Sequence, residues 1–337
     1  MCKLSICIPT YNRASMLDEC LKHLIPQVVH NDNVEVIISD NASSDGTGYM
    51  VKGFIESYPK LRYYESTENL GYARNQIKLF QYAKGDYIAI LCDDDVYMDG
   101  HVDAILKVVS KHEYALVYTN YYSFISKPDR PLRKMYAPEE DKVFPRAYDI
   151  MNYPSVGHFS GYVFNRALAR KALKELLTRK PIEDFEEGRS VFGHVAVVST
   201  ATSDLPSYFV GKRHLAARQP SQGQIDYDRL RHLCLDYYEI FHEFFKEGVI
   251  SEKDLAYRAD VVLSSLPRSI IRDAPQMTNE ELRVVARRLS DYFREDRRFY
   301  LKSLPLFYIV RISMIKQFLK LLLCLHHAQK RLRRSLA

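Results

Sequence analysis

The sequence is poor in the residues that mark disulfide-stapled, disordered or collagen-like proteins. Its 337 residues include six cysteines, 13 glycines and 14 prolines, and the cysteines form no CxxC pair. Scattered cysteines argue against both a disulfide framework and a zinc site. Because 47% of the residues are hydrophobic and 27% are charged, the chain can bury a sizeable core. We expect a soluble globular protein of enzyme size in a reducing compartment such as the cytosol.

Long uncharged apolar runs are also absent. The most apolar window, residues 304–325, is interrupted by Arg311, Lys316 and Lys320, whereas a membrane-spanning helix needs roughly 18 uncharged residues. The first residues have the pattern of a buried strand rather than that of a secretory signal. We therefore expect neither a transmembrane helix nor export.

The charge is unevenly distributed along the chain. The net charge is +6, but residues 281–337 contain 14 Lys or Arg against 4 Asp or Glu, which leaves a net charge of −4 for residues 1–280. From Arg297 onward there are ten basic residues and no acidic one. Such a segment is attracted to phosphate groups.

The basic C-terminal segment is also amphipathic. On a helical projection one face is apolar, and the other carries Ser313, Lys316, Gln317, Lys320 and His327. One interpretation is a helix packed on the body of the protein. The other, which we favour, is an anchor on an anionic membrane, followed by the basic cluster of residues 330–334. Nucleic acid is not an expected partner, because no recognised nucleic-acid module accompanies the charge.

Strand and helix patterns alternate over the first hundred residues. Apolar, strand-like runs at 4–8, 34–38, 61–64 and 87–91 are separated by helix-length segments at 14–27, 43–58 and 72–84. This βαβ series predicts a mainly parallel sheet whose ligand lies beyond the carboxyl ends of the strands. Beyond residue 225 the pattern is helical, with predicted helices at 227–246, 252–266, 278–293 and 306–325.

Polar side chains follow three of these strands. Asp93, Asp94 and Asp95 directly follow the fourth strand. They are typical either of a divalent-cation site that bridges a diphosphate or of a solvated acidic turn. Asp40 ends the second strand, where it could accept hydrogen bonds from a nucleobase, and the serines and aspartate of residues 43–45 are expected to cap the next helix. Arg74, in a predicted first helical turn, favours a bound anion.

The order and spacing of these motifs resemble family 2 glycosyltransferases of the GT-A fold. The resemblance is closest to the bacterial O-antigen and capsule branch that includes abequosyltransferase-like enzymes. It covers roughly residues 3–220 and is densest up to residue 100. The segments that carry it are residues 8–13 (IPTYNR), 39–47 (SDNASSDGT), 69–75 (NLGYARN), 85–88 (GDYI) and 93–95 (DDD).

The resemblance implies a role for each matching residue. The nucleotide would contact Pro9, Thr10, Tyr11, Arg13, Asp40, Asn69, Gly71, Arg74, Asp93, Asp94 and Arg218. Within this set Asp40 would meet the base, Arg74 the diphosphate and Asp94 the ribose. A Mg2+ or Mn2+ ion would be held by Asp95, with Asp93 and His214 as further ligands.

The general base is where the sequence departs from the family pattern. Family members carry a Glu-Asp pair at the start of a helix, and Gly193-His194 stands in its place here. His194 is therefore the first candidate for the base, since the ordinary pKa of a histidine lies near neutral pH. The alternative is Asp184, in the acidic run of residues 183–187, and for both residues a purely structural role remains open.

The resemblance thus implies a doubly wound GT-A domain over residues 1–225 with a helical extension over 226–337. Within the first domain, residues 1–100 would bind the nucleotide and residues 101–225 the acceptor. The expected reaction is transfer of a single sugar from a nucleotide-sugar donor to a lipid-linked oligosaccharide on the cytoplasmic face of the plasma membrane, by an inverting enzyme. An oligomer is compatible with the sequence. The alternatives are a sugar-nucleotide nucleotidyltransferase, although the first loop lacks the glycines that hold a triphosphate, and a catalytically silent nucleotide-sugar-binding protein.

Overall fold

The computed structural model describes residues 3–134, 137–154, 156–179, 191–219 and 230–312, together with residues 315, 317, 319 and 322. The chain forms two compact units, Met1–Gln224 and Ile225–Ala337. None of the described helices combines the length and the apolar character needed to cross a bilayer.

The first unit is built on a single mixed sheet. Its strands in chain order are β1 (Leu4–Thr10), β2 (Val34–Asp40), β3 (Leu61–Glu65), β4 (Tyr87–Ile90), β5 (Val96–Tyr97), β6 (Leu116–Phe124), β7 (Arg133–Lys134), β8 (Lys142–Phe144), β9 (Tyr162–Asn165) and β10 (Ser207–Arg218). Its helices are α1 (Ala14–Val28), α2 (Thr47–Ser57), α3 (Tyr72–Tyr82), α4 (His101–Val109), α5 (Arg166–Arg179) and α6 (Val191–Ala201).

The sheet has the order β3-β2-β1-β4-β9-β6-β10-β5, with β7 paired to β6 and β8 paired to β10. Strands β3, β2, β1 and β4 are parallel, while β9 runs antiparallel between β4 and β6. In register, Thr10 lies opposite Asp40, which lies opposite Glu65. The first three strands therefore end at the same level and bring their following loops together. This architecture confirms the predicted α/β class with a mainly parallel sheet.

The parallel strands β1, β2 and β4 are buried within the first unit because their sequences are almost continuously apolar. All of β4 and nearly all of β1 and β2 are buried, as expected for strands covered on both faces. Helix α1 presents Leu17, Leu21 and Leu24 to this core, at the spacing of one helical face.

Helix α2 begins later than the sequence suggested. The predicted segment started at residue 43, but the observed helix starts at Thr47, because residues 40–46 form a hydrogen-bonded loop instead. Gly46, immediately before the helix, has a φ of +90°, a conformation that glycine adopts without strain.

The second unit is helical. It contains α7 (Tyr237–Lys246), α8 (Glu252–Asp273), α9 (Asn279–Phe293) and α10 (Leu304–Ile309) around its own apolar core. Capping boxes at Ser251 and Thr278 begin α8 and α9, and each satisfies two backbone donors at the helix start. The predicted helix over 306–325 is interrupted, since α10 ends at Ile309 and residues 310–312 form a turn and bend.

Candidate active site

The loops after β1 and β2 are joined by hydrogen bonds. The Asn12 backbone N–H donates to Ser43 Oγ at 2.8 Å, and Asn12 Oδ1 accepts from the Ser44 N–H at 2.7 Å. Asp45 Oδ2 accepts from the Ala14 N–H at 2.8 Å. The expectation that residues 43–45 cap α2 is confirmed for Asp45, whose Oδ1 accepts from the Thr47 N–H at 3.2 Å at the start of the helix. The side chains of Ser43 and Ser44 do not cap the helix, and with Asp45 they hold the first two loops against each other.

Asparagines attach the loop after β3 to the other two. Asn41 Nδ2 donates to Asn69 Oδ1 at 2.7 Å, and Asn41 Oδ1 accepts from the Leu70 N–H at 2.8 Å. Gly71 follows with a φ of +83° and begins α3, and Arg74 lies exposed in the first turn of that helix. The three loops thus form one connected edge of the sheet. Beside them Pro9 is half-buried and Tyr11 is exposed.

Asp40 is fully buried at the end of β2. One carboxylate oxygen accepts from the Ser43 N–H at 3.0 Å and from Ser43 Oγ at 2.5 Å, and the other accepts from Tyr63 Oη at 2.5 Å. Asp40 therefore links Ser43 of the second loop to Tyr63 of β3 through its buried carboxylate. Its predicted contact with a nucleobase stays a prediction.

Asp93, Thr10 and Arg13 come together as the sequence indicated. Asp93 accepts from Thr10 Oγ1 at 2.8 Å and from Arg13 Nη1 at 3.0 Å, and its side chain is nearly inaccessible to solvent. Burial raises the pKa of this carboxyl, while the charge of Arg13 and the hydrogen bonds with Thr10 and Arg13 oppose the rise. Asp93 therefore attaches the first loop to the acidic turn.

Asp94 is the most solvent-accessible of the three aspartates. Its side chain is 30% exposed and lies 3.3 Å from Arg13 Nη1. Burial and the neighbouring carboxylates of Asp95 and Asp93 raise the pKa of Asp94 to about 6. A bound cation would relieve this repulsion and favour the ionised form.

Asp95 is buried, and both of its carboxylate oxygens accept hydrogen bonds from the protein. Oδ1 accepts from the Arg218 backbone N–H at 2.8 Å. Oδ2 accepts from Ser160 Oγ at 2.5 Å and contacts His158 Nε2 at 2.6 Å. Asp95 therefore connects the acidic turn to β10 and to the turn before β9.

His158 is a site residue that sequence reasoning did not select. Burial lowers its pKa, but the charge of Asp95, their hydrogen bond and the charge of Asp94 together raise the pKa above its ordinary value. Its ring lies 4.8 Å from that of Tyr121, measured between centroids. The histidine could have been suspected from the GHFSG sequence of residues 157–161, but its carboxylate partner lies 63 positions away and only the fold pairs them.

Arg218 stabilises the acidic turn with its side chain. Nε donates to the Asp94 carbonyl at 2.9 Å, Nη1 donates to the Ile125 carbonyl at 3.0 Å, and Nη2 pairs with Glu19. The guanidinium also lies 4.4 Å from the ring centroid of Phe124. The predicted contact between Arg218 and the diphosphate stays a prediction, and in this structure the side chain is engaged by the protein itself.

Cys92, Asp94 and Asp95 form the cluster of potential metal ligands found among the described residues, with ligand atoms within 4.8 Å of one another. Carboxylates suit Mg2+ and Mn2+, and a thiol adds a softer donor. The two carboxylates fit a divalent cation, with Asp94 the more accessible. Burial and the neighbouring carboxylates raise the pKa of the Cys92 thiol well above its ordinary value, so the thiol is a poor ligand for these ions.

The structure does not place Asp93 or His214 in this cluster. Asp93 is turned toward Thr10 and Arg13. His214 lies in β10 next to Gly100, and its backbone carbonyl accepts from the Met98 N–H at 2.7 Å. Burial lowers the pKa of His214. The prediction that these two residues are metal ligands therefore has no geometric support in the described residues.

His194 lies in the first turn of α6, as its sequence position indicated. Its side chain is buried, with 4% of the residue exposed. The start of the helix is fixed by Gln76 Oε1, which accepts from the Val191 N–H at 3.1 Å. The other candidate base, Asp184, lies outside the described residues.

Comparison with known proteins identifies the family of the chain. Residues 5–177, about half of the chain, match glycosyl transferase family 2. The chain belongs to this family of glycosyltransferase enzymes. It is also similar to the abequosyltransferase RfbV of Salmonella typhimurium, with 36% identity over 115 residues that cover 31% of this chain and 34% of RfbV. The matches to the first curated relatives span 34% to 41% of the lengths of those proteins.

Solved structures show that this family 2 chain has the GT-A fold. S. aureus TarS 1-349 in complex with UDP-GlcNAc covers 94% of this chain, and 89% of TarS 1-349 is covered in turn, with a TM-score of 0.62 and 15% identity. The mannosyltransferase PcManGT of Pyrobaculum calidifontis, in complex with GDP-Man and Mn2+, covers 92% of this chain, with 87% of PcManGT covered, a TM-score of 0.55 and 17% identity.

Proposed function

We propose that this protein transfers one sugar from a nucleoside-diphosphate-sugar donor to a hydroxyl group of a bacterial surface glycan. The observation that carries this proposal is the joining of three sheet-end loops beside the acidic turn, at the strand ends where ligands of α/β sheets bind. RfbV is named an abequosyltransferase, and TarS 1-349 was solved with UDP-GlcNAc. The first name supports sugar transfer by this chain, and the second supports a nucleotide-sugar donor.

In this proposal the nucleotide lies along the connected loops. Tyr11 is exposed in the first loop, where its ring could stack on a base. Arg74 lies in the first turn of α3, where a bound diphosphate would offset an otherwise unfavourable cation at a helix start. Arg13 lies between Asp93 and the exposed Asp94, so it is poised to share a phosphate with a bound cation.

We propose that a Mg2+ or Mn2+ ion is held by Asp95, as the resemblance implies, and by the adjacent and more accessible Asp94, with Cys92 nearby. The implied contact of Asp94 with the ribose stays a prediction. When bound, such an ion neutralises the negative charge of the departing nucleoside diphosphate. Asp95 orients this part of the site through its hydrogen bonds to Ser160 and Arg218. PcManGT was solved with GDP-Man and Mn2+, which supports a divalent cation in a site of this fold.

We propose an inverting mechanism in which His194 removes the proton from the acceptor hydroxyl. A histidine can serve because its ordinary pKa lies near neutral pH. Its burial requires that the acceptor, or a movement of α6, bring the hydroxyl within hydrogen-bond reach. Asp184 is the alternative base.

We further propose that the acceptor is linked to a lipid and that the protein works on the cytoplasmic face of the membrane. The ten basic residues from Arg297 onward, without an acidic one, support attraction to anionic lipid. The same segment would keep the enzyme near an acceptor that does not leave the membrane.

The test is a thermal-shift measurement with UDP, CDP, GDP and dTDP, each with and without Mn2+. A ligand at 100 times its dissociation constant stabilises a protein by about 2.7 kcal/mol, and we expect one nucleotide to do so in a metal-dependent way. Asp94→Asn should abolish the metal dependence. Asp32→Asn is the matched control, because Asp32 is exposed at the opposite end of β2 and pairs with Lys60.

Either of two results would contradict the proposal. If no nucleotide shifts the melting temperature, with or without Mn2+, the GT-A fold is present without donor binding. If a nucleotide binds but no sugar is transferred to any hydroxyl acceptor, while His194→Gln and wild type behave alike, the protein is a silent nucleotide-sugar-binding protein.

A further inference from the structure

An apolar stripe faces outward on the second unit. Leu301, Pro305, Tyr308, Ile309 and Ile312 are all exposed, with exposed fractions of 77% for Leu301, 62% for Tyr308 and 54% for Ile312. Pro305, Tyr308 and Ile309 lie on one side of α10, and Leu301 and Ile312 lie just before and just after that helix. We call these five residues the apolar stripe.

The opposite side of the same segment holds the stripe in place. Phe299, Ser303, Phe307 and Val310 are buried, and the three apolar residues belong to the core of the second unit. The outward direction of the stripe is therefore fixed by packing on the inward side. Neighbouring exposed apolar side chains are typical of an interaction surface, whereas singly scattered ones are common on any protein.

The charged residues on the segment that carries the stripe are all basic, although Asp291 of α9 lines the same cavity as Tyr308 and Arg311. Lys302 directly follows Leu301, and Arg311 directly precedes Ile312. Among the described residues, no carboxylate pairs with Arg297, Lys302 or Arg311, and the Arg311 guanidinium lies 6.0 Å from the ring centroid of Tyr308. An apolar strip bordered by unpaired cations is complementary to a surface with an apolar interior and anionic headgroups.

A second copy of the chain fits this surface less well. A two-fold contact places the same patch of each subunit against the other. Lys302 and Arg311 of one copy would then approach the same cations of its partner, with no acidic residue in the segment from Arg297 onward to offset them. An anionic lipid surface meets no such repulsion.

We infer that the apolar stripe is a membrane-docking surface that inserts into the headgroup region of an anionic bilayer, with Lys302 and Arg311 at its borders. Tyr308 has an apolar ring and a polar hydroxyl, the combination favoured at the depth of the headgroups. This inference deepens the proposed membrane association and rests on it. It adds a defined surface on the folded second unit to the basic tail.

The test is vesicle co-sedimentation of the full chain with phosphatidylcholine alone and with phosphatidylcholine containing phosphatidylglycerol. Leu301→Ser/Ile312→Ser should weaken partition to the anionic vesicles by about tenfold or more, since two apolar side chains lose their burial in lipid. Val261→Ser/Val284→Ser is the matched control, because it removes two exposed valines of α8 and α9 in the same unit. The control should bind within about twofold of wild type.

Several outcomes would overturn the inference. One is a wild type that shows no preference for anionic vesicles; another is a stripe variant that binds as wild type does. A stripe variant that changes from dimer to monomer in light scattering, with unchanged vesicle binding, would assign the stripe to a second copy. Nucleotide-dependent thermal shifts, measured on the same proteins, separate failure of the docking surface from failure of the proposed transferase function.

Discussion

At the residue scale, neighbouring aspartates of one acidic turn are used differently. Asp93 and Asp95 are buried and accept hydrogen bonds from other loops, whereas Asp94 is partly exposed. Three adjacent carboxylates can coexist because two of them accept hydrogen bonds from buried protein donors and the third lies beside the Arg13 guanidinium. This division would leave Asp94 accessible to the proposed cation while the other two aspartates hold the turn in place.

Asp94 should make stability depend on pH. Its pKa of about 6 in the folded protein exceeds the ordinary value near 4 in an unfolded chain. Between these values the folded state binds more protons, so stability falls as pH rises from about 4 to about 6. Urea unfolding over this range should show wild type losing stability relative to Asp94→Asn as pH rises. A pH-independent difference would contradict the raised pKa.

His194 should affect turnover more than donor binding. We expect His194→Gln, which keeps most of the side-chain volume, to lower kcat by about 100-fold or more, the usual contribution of a general base. The dissociation constant for the nucleotide should stay within about twofold of wild type. If His194→Gln turns over as fast as wild type, His194 is not the general base. Asp184→Asn would then test Asp184 as the base.

Sequence reasoning at this scale indicated which loops meet, but not which side chains contact each other. The resemblance implies only that Thr10, Arg13 and Asp93 each contact the nucleotide, whereas the structure shows that the three also contact one another through Asp93. His158 was not selected, and His214 was assigned to a metal cluster that, among the described residues, does not contain it. The spacing of the motifs predicts which loops lie at the edge of the sheet. It does not predict which side chains pair, because the partners come from segments that are far apart in sequence.

At the scale of elements, the turn of residues 157–161 is positioned by one strand. Tyr118 Oη on β6 accepts from the Gly157 and His158 N–H groups at 3.2 and 3.0 Å. Gly161 packs directly on the Tyr118 ring, where a Cβ would lie 2.6 Å from a ring carbon. The strand thus sets the position of His158 and Ser160, the two side chains of this turn that contact Asp95.

Ser160 should matter for stability because it links two backbone segments. Its hydroxyl donates to Asp95 and accepts from the Cys92 N–H at 2.8 Å. Ser160→Ala should lower the free energy of unfolding by about 1–3 kcal/mol, the usual loss for a buried hydrogen bond to a charged group. Ser57→Ala, at the exposed end of α2, is the control and should stay within about 0.5 kcal/mol. Equal unfolding curves for the two variants would contradict the role of Ser160.

Two glycines should respond to alanine with opposite signs. At Gly85 a Cβ would lie 2.6 Å from the Ser5 backbone nitrogen on β1, whereas Gly53 in α2 has open space around it. Gly85→Ala should destabilise by about 1–3 kcal/mol through overpacking. Gly53→Ala should stabilise by about 0.5–1 kcal/mol through helix propensity. Thermal or urea unfolding measures both, and a neutral Gly85→Ala would show that β1 and β4 can separate without cost.

At the scale of the whole molecule, the two units have separate apolar cores. Every residue proposed to contact the nucleotide or the cation lies in Met1–Gln224. We propose that this unit corresponds to the transferase domain and that the second unit serves membrane association. Uneven charge along the sequence is consistent with this division of labour, because the basic excess is confined to residues 281–337.

The fragment of residues 1–224 should therefore bind the donor nucleotide without the second unit. We expect a folded fragment whose nucleotide-dependent thermal shift matches that of the full chain within about 1 °C. Vesicle co-sedimentation should be lost in the same fragment. A fragment that folds, as judged by circular dichroism, but binds no nucleotide would show that the second unit contributes to the donor site.

The sequence by itself determined the parallel strands, the helices between them and the polar loops at their ends, because these depend on local patterns of apolar and turn-forming residues. Tertiary structure decided which carboxylate is exposed, which histidine meets Asp95 and which side of the C-terminal helical segment faces outward. Those outcomes depend on pairing between distant segments, such as Asp95 with His158 and with Arg218. A local pattern carries no information about such partners until the sheet brings them together.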